Sequence, residues 1–185
     1  MDKGLVNDEL NSFGKFIVQQ ARTNLTKANY KKHKHGPIKD TGSLYNSIKY
    51  NVKVSKNSFE FSIDMEAYGK FVDKGVKGKT SSSKAPTSPF KFGSGSGMSG
   101  GLTKAIDAWV KRKHIQFRDK GGKFLSYKST AMIITRSIYN TGLETTNFIT
   151  RPIQLGFDKL SNDLTKAYGL VVDRFTNNIL KNKNK

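Results

Sequence analysis

Apolar residues recur at three- and four-residue spacing through Leu10, Phe13, Ile17, Ala21, Leu25 and Ala28, which predicts an amphipathic helix from Asn7 to Ala28. Phe16 lies beside this stripe, and Asn7 or Asp8 is placed to cap the helix. The period then shortens to two. Ile48, Tyr50, Val52 and Val54 fall on one face of a strand and Phe59, Phe61, Ile63 and Met65 on one face of a second, with Lys56-Asn57 as the turn between them. A hairpin over 48–65 with one buried face is expected, packed against the first helix. Thr41-Gly-Ser-Leu ahead of it can cap a helical turn through a hydroxyl, and Tyr68, Phe71 and Val72 after it read as a short apolar helix stopped by Gly75.

Helical spacing returns in the second half of the chain. Leu102, Ala105, Ile106, Trp109, Val110 and Lys113 predict a helix that ends before Gly121-Gly122. A further helix carries Ala131, Ile134 and Ile138, flanked by Met132, Ile133 and Tyr139, and stops at Gly142. The stretch from Leu143 to Ile153 reads as a connector. A last helix follows Phe157, Leu160, Leu164, Ala167, Val171, Phe175 and Ile179, before a basic tail at Lys181, Lys183 and Lys185.

Two segments break these patterns. Tyr30-Lys-Lys-His-Lys-His-Gly-Pro37 is basic and ends in a helix-breaking Gly-Pro, as an exposed connection would. Between Gly75 and Gly101, Ser, Thr, Pro and Gly dominate, in Thr80-Ser-Ser-Ser-Lys-Ala-Pro-Thr-Ser-Pro89 and Gly93-Ser-Gly-Ser-Gly-Met-Ser-Gly-Gly101. Such a segment has little to bury, so it is expected to be a flexible loop that orders against a neighbouring molecule, with Phe90 and Phe92 as anchors beside Lys84, Pro86 and Pro89. The fold class expected is α+β: a single domain over 1–185, with a helix-plus-hairpin core at 1–75, a long loop at 76–101 and a helical part at 102–185 that holds two helices and the C-terminal one.

Charge changes the picture more than size does. The 33 lysines and arginines stand against 14 acidic residues, a formal charge of +19 that calls for an anionic partner or an acidic neighbouring subunit. Residues 102–185 hold most of the excess. There is no cysteine, so neither disulfides nor thiolate metal sites hold the fold. The N-terminus lacks the basic flank and apolar run of a signal peptide, and no apolar run approaches the roughly 20 residues needed to cross a bilayer, so a soluble protein made in the cytoplasm is expected, without membrane insertion.

Candidate chemistry is sparse. His33 and His35 share one basic run and His114 follows Lys111-Arg-Lys; all three read as surface residues, because a zinc site needs further ligands. Asp64 and Glu66 share a strand face in the manner of a two-carboxylate nuclease site, and a polar solvent-facing edge explains them as well. No nucleophile elbow and no Gly-x-x-x-x-Gly-Lys-Thr/Ser nucleotide loop occurs. We therefore expect no catalytic, metal or cofactor site. The densest basic cluster is Lys111, Arg112 and Lys113 with His114, Gln116 and Arg118, next to Trp109. These are candidate contacts to nucleic-acid phosphates or to an acidic partner, against the alternative that Trp109 belongs to the core and the lysines to a solvated face.

Taken in order, Thr41-Gly42-x-Leu44-x-x-Ser47-Ile48, an alternating hairpin, Tyr68-x-x-Phe71-Val72-Asp73-x-Gly75, a loop and Arg151-Pro152-Ile153 before a terminal helix resemble the tail-completion and head–tail joining (neck) proteins of tailed bacteriophages. The two helices over about 102–141, between loop and Arg-Pro, depart from that pattern. The resemblance implies a non-enzymatic virion subunit, assembled in the host cytoplasm into a ring, commonly of six or twelve copies. That ring would lie between portal or adaptor proteins and the tail, with genomic DNA passing through its channel. It also implies that Gly42 and Gly75 set turns while Leu44, Ile48, Tyr68, Phe71 and Val72 fill the core. A non-specific basic DNA- or RNA-binding protein is the alternative reading.

Overall fold

The computed structural model describes residues 3–27, 40–55, 58–93, 101–157 and 159–166. The fold is α+β, as expected: an N-terminal helix, a small two-stranded antiparallel sheet, further helices and a C-terminal helix. Chain contacts divide it into two compact units, one of residues 1–69 and 147–185, the other of residues 70–146.

The first unit is built on α1 (Lys3–Thr26). Its stripe is the predicted one, extended by a turn: Val6, Leu10, Phe13, Ile17, Ala21 and Leu25 are all buried. The helix starts before Asn7 and Asp8, so these are interior residues rather than caps, and the Asn7 carbonyl accepts from the Asn11 side-chain amide. Ala28 and the basic run from Tyr30 to Pro37 lie outside the described residues.

Short α2 (Ser43–Ser47) leads into β1 (Lys49–Val54), which pairs antiparallel with β2 (Phe59–Asp64). The register sets Tyr50 opposite Ile63, Val52 opposite Phe61 and Val54 opposite Phe59, so the alternating apolar residues share one face as predicted. Lys56-Asn57 is outside the described residues, but the Ser55 N–H donates to the Ser58 carbonyl across the turn, at 2.8 Å. The apolar face meets α1 where the Phe13 and Phe61 rings lie 5.0 Å apart. Arg22 of α1 fastens the junction of α2 and β1: its guanidinium donates to the carbonyls of Tyr45 and Ile48, both at 3.1 Å, and lies 5.3 Å from the centre of the Tyr45 ring.

The connector expected from Leu143 to Ile153 is partly core. Phe148 and Ile149 are buried, and the last helix, α6, begins at residue 150 and is described over 150–157 and 159–166. Its covered row is Pro152, Gly156 and Leu160, spaced by four, while Phe157 is 60% exposed. Ala167, Val171, Phe175, Ile179 and the lysine tail lie outside the described residues.

The second unit contains α3 (Gly69–Lys74), β3 (Val76–Lys77), α4 (Gly101–Arg112), α5 (Tyr127–Thr141) and β4 (Gly142–Leu143). β3 pairs antiparallel with β4. Thr145 and Thr146, just past β4, satisfy the C-terminal carbonyls of α3. The Thr146 hydroxyl donates to Val72 O at 2.7 Å, its N–H to Asp73 O at 3.1 Å, and the Thr145 hydroxyl to Lys74 O at 2.8 Å.

In α5 the buried row is Ala131, Thr135 and Tyr139 with Thr130, whereas Met132 and Ile133 are about half exposed. Apolar periodicity alone does not pick out this row because two of these buried residues are threonines. α5 stops at Gly142 as expected. Within the described residues, no helix is long and apolar enough to cross a membrane.

Candidate polyanion-binding surface

α4 is amphipathic, with Val110 fully buried, Leu102, Ile106 and Trp109 half-buried, and Ala105 exposed. It ends at Arg112, before Gly121-Gly122 as expected. His114 takes a left-handed backbone (φ 53°), the Ile115 N–H donates to Val110 O at 3.0 Å and the His114 N–H to Lys111 O at 3.2 Å, which together close the last turn. Lys111 and Arg112 therefore sit in the final turn, where the helix dipole favours cations.

The chain then forms a small hairpin that sequence periodicity does not reveal. Arg118 and Phe124 form an antiparallel bridge, the Asp119 N–H donates to Lys123 O at 2.9 Å, and the Leu125 N–H to Phe117 O at 2.8 Å. The Asp119 carboxylate accepts from the Lys123 N–H at 2.9 Å and so organises the turn through Lys120, Gly121 and Gly122. The Arg118 guanidinium lies 4.2 Å from the centre of the Phe124 ring and donates to Gly122 O at 3.3 Å.

The predicted contact residues Lys111, Arg112, Lys113 and Arg118 are all exposed, and so are Lys120, Lys123 and Lys128, which the sequence reading left out. Over residues 107–128 seven basic side chains face two acidic ones. Both acids are engaged locally: Asp107 holds Lys111 at 2.6 Å, and Asp119 holds its own turn. The Asp119-Lys-Gly-Gly-Lys string between Phe117 and Phe124 carries turn chemistry, and this was the available signal.

The loop expected to depend on a neighbour packs on its own chain over 76–93. Ala85 and Ser88 are buried, the Ser88 hydroxyl donates to Gly75 O at 2.7 Å, and the Lys84 ammonium donates to the Thr141 hydroxyl at 2.8 Å. Phe90 meets Phe71 edge-on at 4.7 Å, and Phe92 lies 5.8 Å from Tyr139. Pro86 and Pro89 are exposed, and residues 94–100 lie outside the described residues. Backbone pairing and a few small buried side chains thus order a segment whose composition suggests flexibility.

The structural motif residues divide in two. Gly42 (φ 87°) precedes α2 and Gly75 (φ 70°) ends α3, both in the left-handed region that favours glycine, as the resemblance implies. Leu44 and Ile48 are buried, and the Ser47 hydroxyl donates to Leu44 O and accepts from Glu66 N–H. Tyr68 and Phe71, by contrast, are 44% and 36% exposed rather than core residues, because Tyr68 stands on the turn before α3 and Phe71 faces Phe90. The Thr41 hydroxyl accepts from the N–H of Ser43, the first residue of α2, at 3.4 Å and pairs with the Ser43 hydroxyl at 3.0 Å, so it caps this short helix as expected. Arg151 is exposed while Pro152 is buried, both in the first turn of α6.

Asp64 accepts from the Asn51 amide across the hairpin, and Glu66 lies beyond the end of β2. Among the described residues no group of three or more His, Cys, Asp or Glu side chains could hold a metal ion. His33 and His35 fall outside those residues, and His114 is exposed. No protein-family profile, curated protein or solved structure matches the chain.

Proposed function

We propose that this chain is a structural subunit of a ring in the neck of a tailed bacteriophage, joining the portal side of the head to the tail and forming part of the DNA channel. The motif order suggests the family. The observation that carries the assembly reading is the apolar surface of the first unit, where Phe16, Leu155 and Phe157 are 39%, 62% and 60% exposed. Phe16 and Leu155 line, with Phe13 and Leu160, a groove of about 150 Å³ between α1 and α6. Exposed large apolar side chains beside this groove, whose rim also carries Glu9, Lys159 and Asp163, are suited to a neighbouring copy. The sheet of β1 and β2 has only two strands, and a second copy would also protect its edges.

Native mass spectrometry of the full chain, with and without portal or tail proteins, tests the reading. A closed oligomer that Leu155→Asp with Phe157→Asp disperses, while leaving the circular dichroism of the subunit unchanged, is the expected result. A chain that stays monomeric at high concentration and is absent from purified particles would overturn it. The basic surface of α4 and the hairpin after it supports the second reading, a monomeric non-specific DNA- or RNA-binding protein. Under that reading a monomer binds duplex with steep salt dependence.

A further inference from the structure

We propose that the depression lined by Lys77, Lys79 and Lys91 with Thr80, Ser81 and Ser82 is a binding site for a phosphate group. It has a volume of about 360 Å³, and none of the residues lining it is acidic. The site lies within residues 77–91, away in sequence from the α4 cluster, and its chemistry is independent of ring assembly.

Backbone pairing builds the site before any ligand arrives. Lys77 and Lys91 form a parallel bridge, in which the Lys77 N–H donates to Phe90 O at 2.8 Å and the Phe92 N–H to Lys77 O at 2.9 Å. Two lysines fourteen positions apart in the chain are thereby held side by side. Lys77 also pairs with Gly142 in the β3–β4 ladder, so its backbone is fixed from both sides.

The chain after Lys77 is equally constrained. The Gly78 N–H donates to Ser81 O at 2.8 Å, the Lys79 N–H to Tyr139 O at 2.9 Å and the Thr80 N–H to Asn140 O at 3.2 Å. Gly78 is buried against the Asn140 carbonyl, where a Cβ would overlap it, so the turn seats directly on the end of α5. The Thr80 hydroxyl donates to Asn140 O, and the Ser81 hydroxyl pairs with that of Ser83, leaving Ser82 to supply a hydroxyl to a ligand. The Lys79 ammonium lies 6.0 Å from the centre of the Tyr139 ring, a weak contact that leaves its three donors usable.

Three lysines line this depression and no acidic residue does, and an oxyanion with two charges and several acceptor oxygens can engage their ammonium groups and the hydroxyl together. Gly78-Lys79-Thr80 matches the end of a nucleotide-binding loop, but Asp73 stands where that loop's first glycine belongs, and residues 81–93 form no helix. The arrangement therefore fits single phosphate groups rather than a cradled triphosphate. Such a group is available both as free phosphate and in the backbone of a nucleic acid.

The test compares the full chain with Lys79→Gln/Lys91→Gln and, as a charge-matched control, Lys104→Gln/Lys166→Gln. Each is titrated with inorganic phosphate against chloride of equal ionic strength, and with a short mixed-sequence DNA duplex across salt concentrations. Circular dichroism and thermal melting in chloride establish that the variants fold. If free phosphate is the ligand, it raises the melting temperature of the wild type and the control, and affinity falls about tenfold or more in Lys79→Gln/Lys91→Gln. If nucleic-acid phosphate is the ligand, the log–log salt slope for duplex falls by about two contacts in that variant only. Either result supports the site. Equal behaviour of all three proteins in both titrations overturns it.

Discussion

The side-chain amide of Asn24 donates to the carbonyl of Phe148 at 3.0 Å, a buried bond across 124 positions of the chain. In a regular helix that carbonyl would accept from the N–H of residue 152, and Pro152 has none. The neighbouring turns are closed in the ordinary way, Arg151 N–H to Asn147 O and Ile153 N–H to Ile149 O. Asn24 therefore supplies a donor to this carbonyl where the proline has none to offer. Asn24→Ala should cost about 0.5–1.5 kcal/mol, since it removes a buried hydrogen bond to this carbonyl. In a Pro152→Ala background the restored N–H should reach the same carbonyl, so the cost of Asn24→Ala should fall. Urea denaturation of the four proteins of this cycle measures the coupling, expected at about 0.5–1.5 kcal/mol.

Ser88 has the same kind of role in the second unit. Its hydroxyl donates to Gly75 O at 2.7 Å and accepts from the Phe90 N–H at 3.1 Å, and the residue is 2% exposed. Ser88→Ala should destabilise the protein by about 1–3 kcal/mol by stranding both backbone groups. Proteolysis of the variant under native conditions should show cleavage within 79–93 at lower protease concentration than in the wild type. If that segment depended on a neighbouring copy for its order, the substitution would leave proteolysis of the isolated chain unchanged.

These two bonds also mark where the sequence was readable. The α1 stripe from Leu10 to Leu25 and the register of the hairpin followed from periods of 3.6 and 2, because each element buries one face against a single layer. The packing of residues 76–93 was not readable, because Ala85, Ser88 and a few backbone bonds hold it, and none of these gives a periodic signal. The same applies to the hairpin carrying Lys120 and Lys123, whose order comes from the Asp119 turn and the Arg118–Phe124 stack. Of the candidate surface, Lys111, Arg112, Lys113 and Arg118 were legible as a charge run. Their continuation onto the hairpin required knowing that the chain turns at His114.

Tyr68 links the hairpin region to alkaline pH. Partial burial, followed by the nearby Glu66 and Asp40 carboxylates, holds its phenol above the usual tyrosine value, while a hydrogen bond with the Leu44 backbone acts in the opposite direction. The unfolded phenol ionises first as pH rises past about 10, so the folded state then binds more protons than the unfolded state. The contribution of Tyr68 to stability is thus complete below that pH and is lost as pH climbs through the folded value. Because the side chain is 44% exposed, the effect should be small. Tyr68→Phe should shallow the fall in urea midpoint above about pH 10, measured against the wild type in parallel titrations.

The α4–hairpin surface makes a graded prediction for duplex DNA. Lys111 is already paired with Asp107 at 2.6 Å, whereas Lys120 and Lys123 stand at the exposed turn of the hairpin with Asp119 committed to backbone. Lys111→Ala should therefore weaken binding least. Lys120→Ala with Lys123→Ala should remove about two phosphate contacts and lower the log–log salt slope by roughly 0.9 for each. Phe124→Ala should lower affinity without changing that slope, because it withdraws the stacking support of Arg118 while leaving the charge in place. Fluorescence anisotropy with a mixed-sequence duplex at several salt concentrations reads all three effects. An equal loss for Lys111→Ala and Lys120→Ala would mean that DNA responds to net charge alone, and the hairpin would then have no part in positioning it.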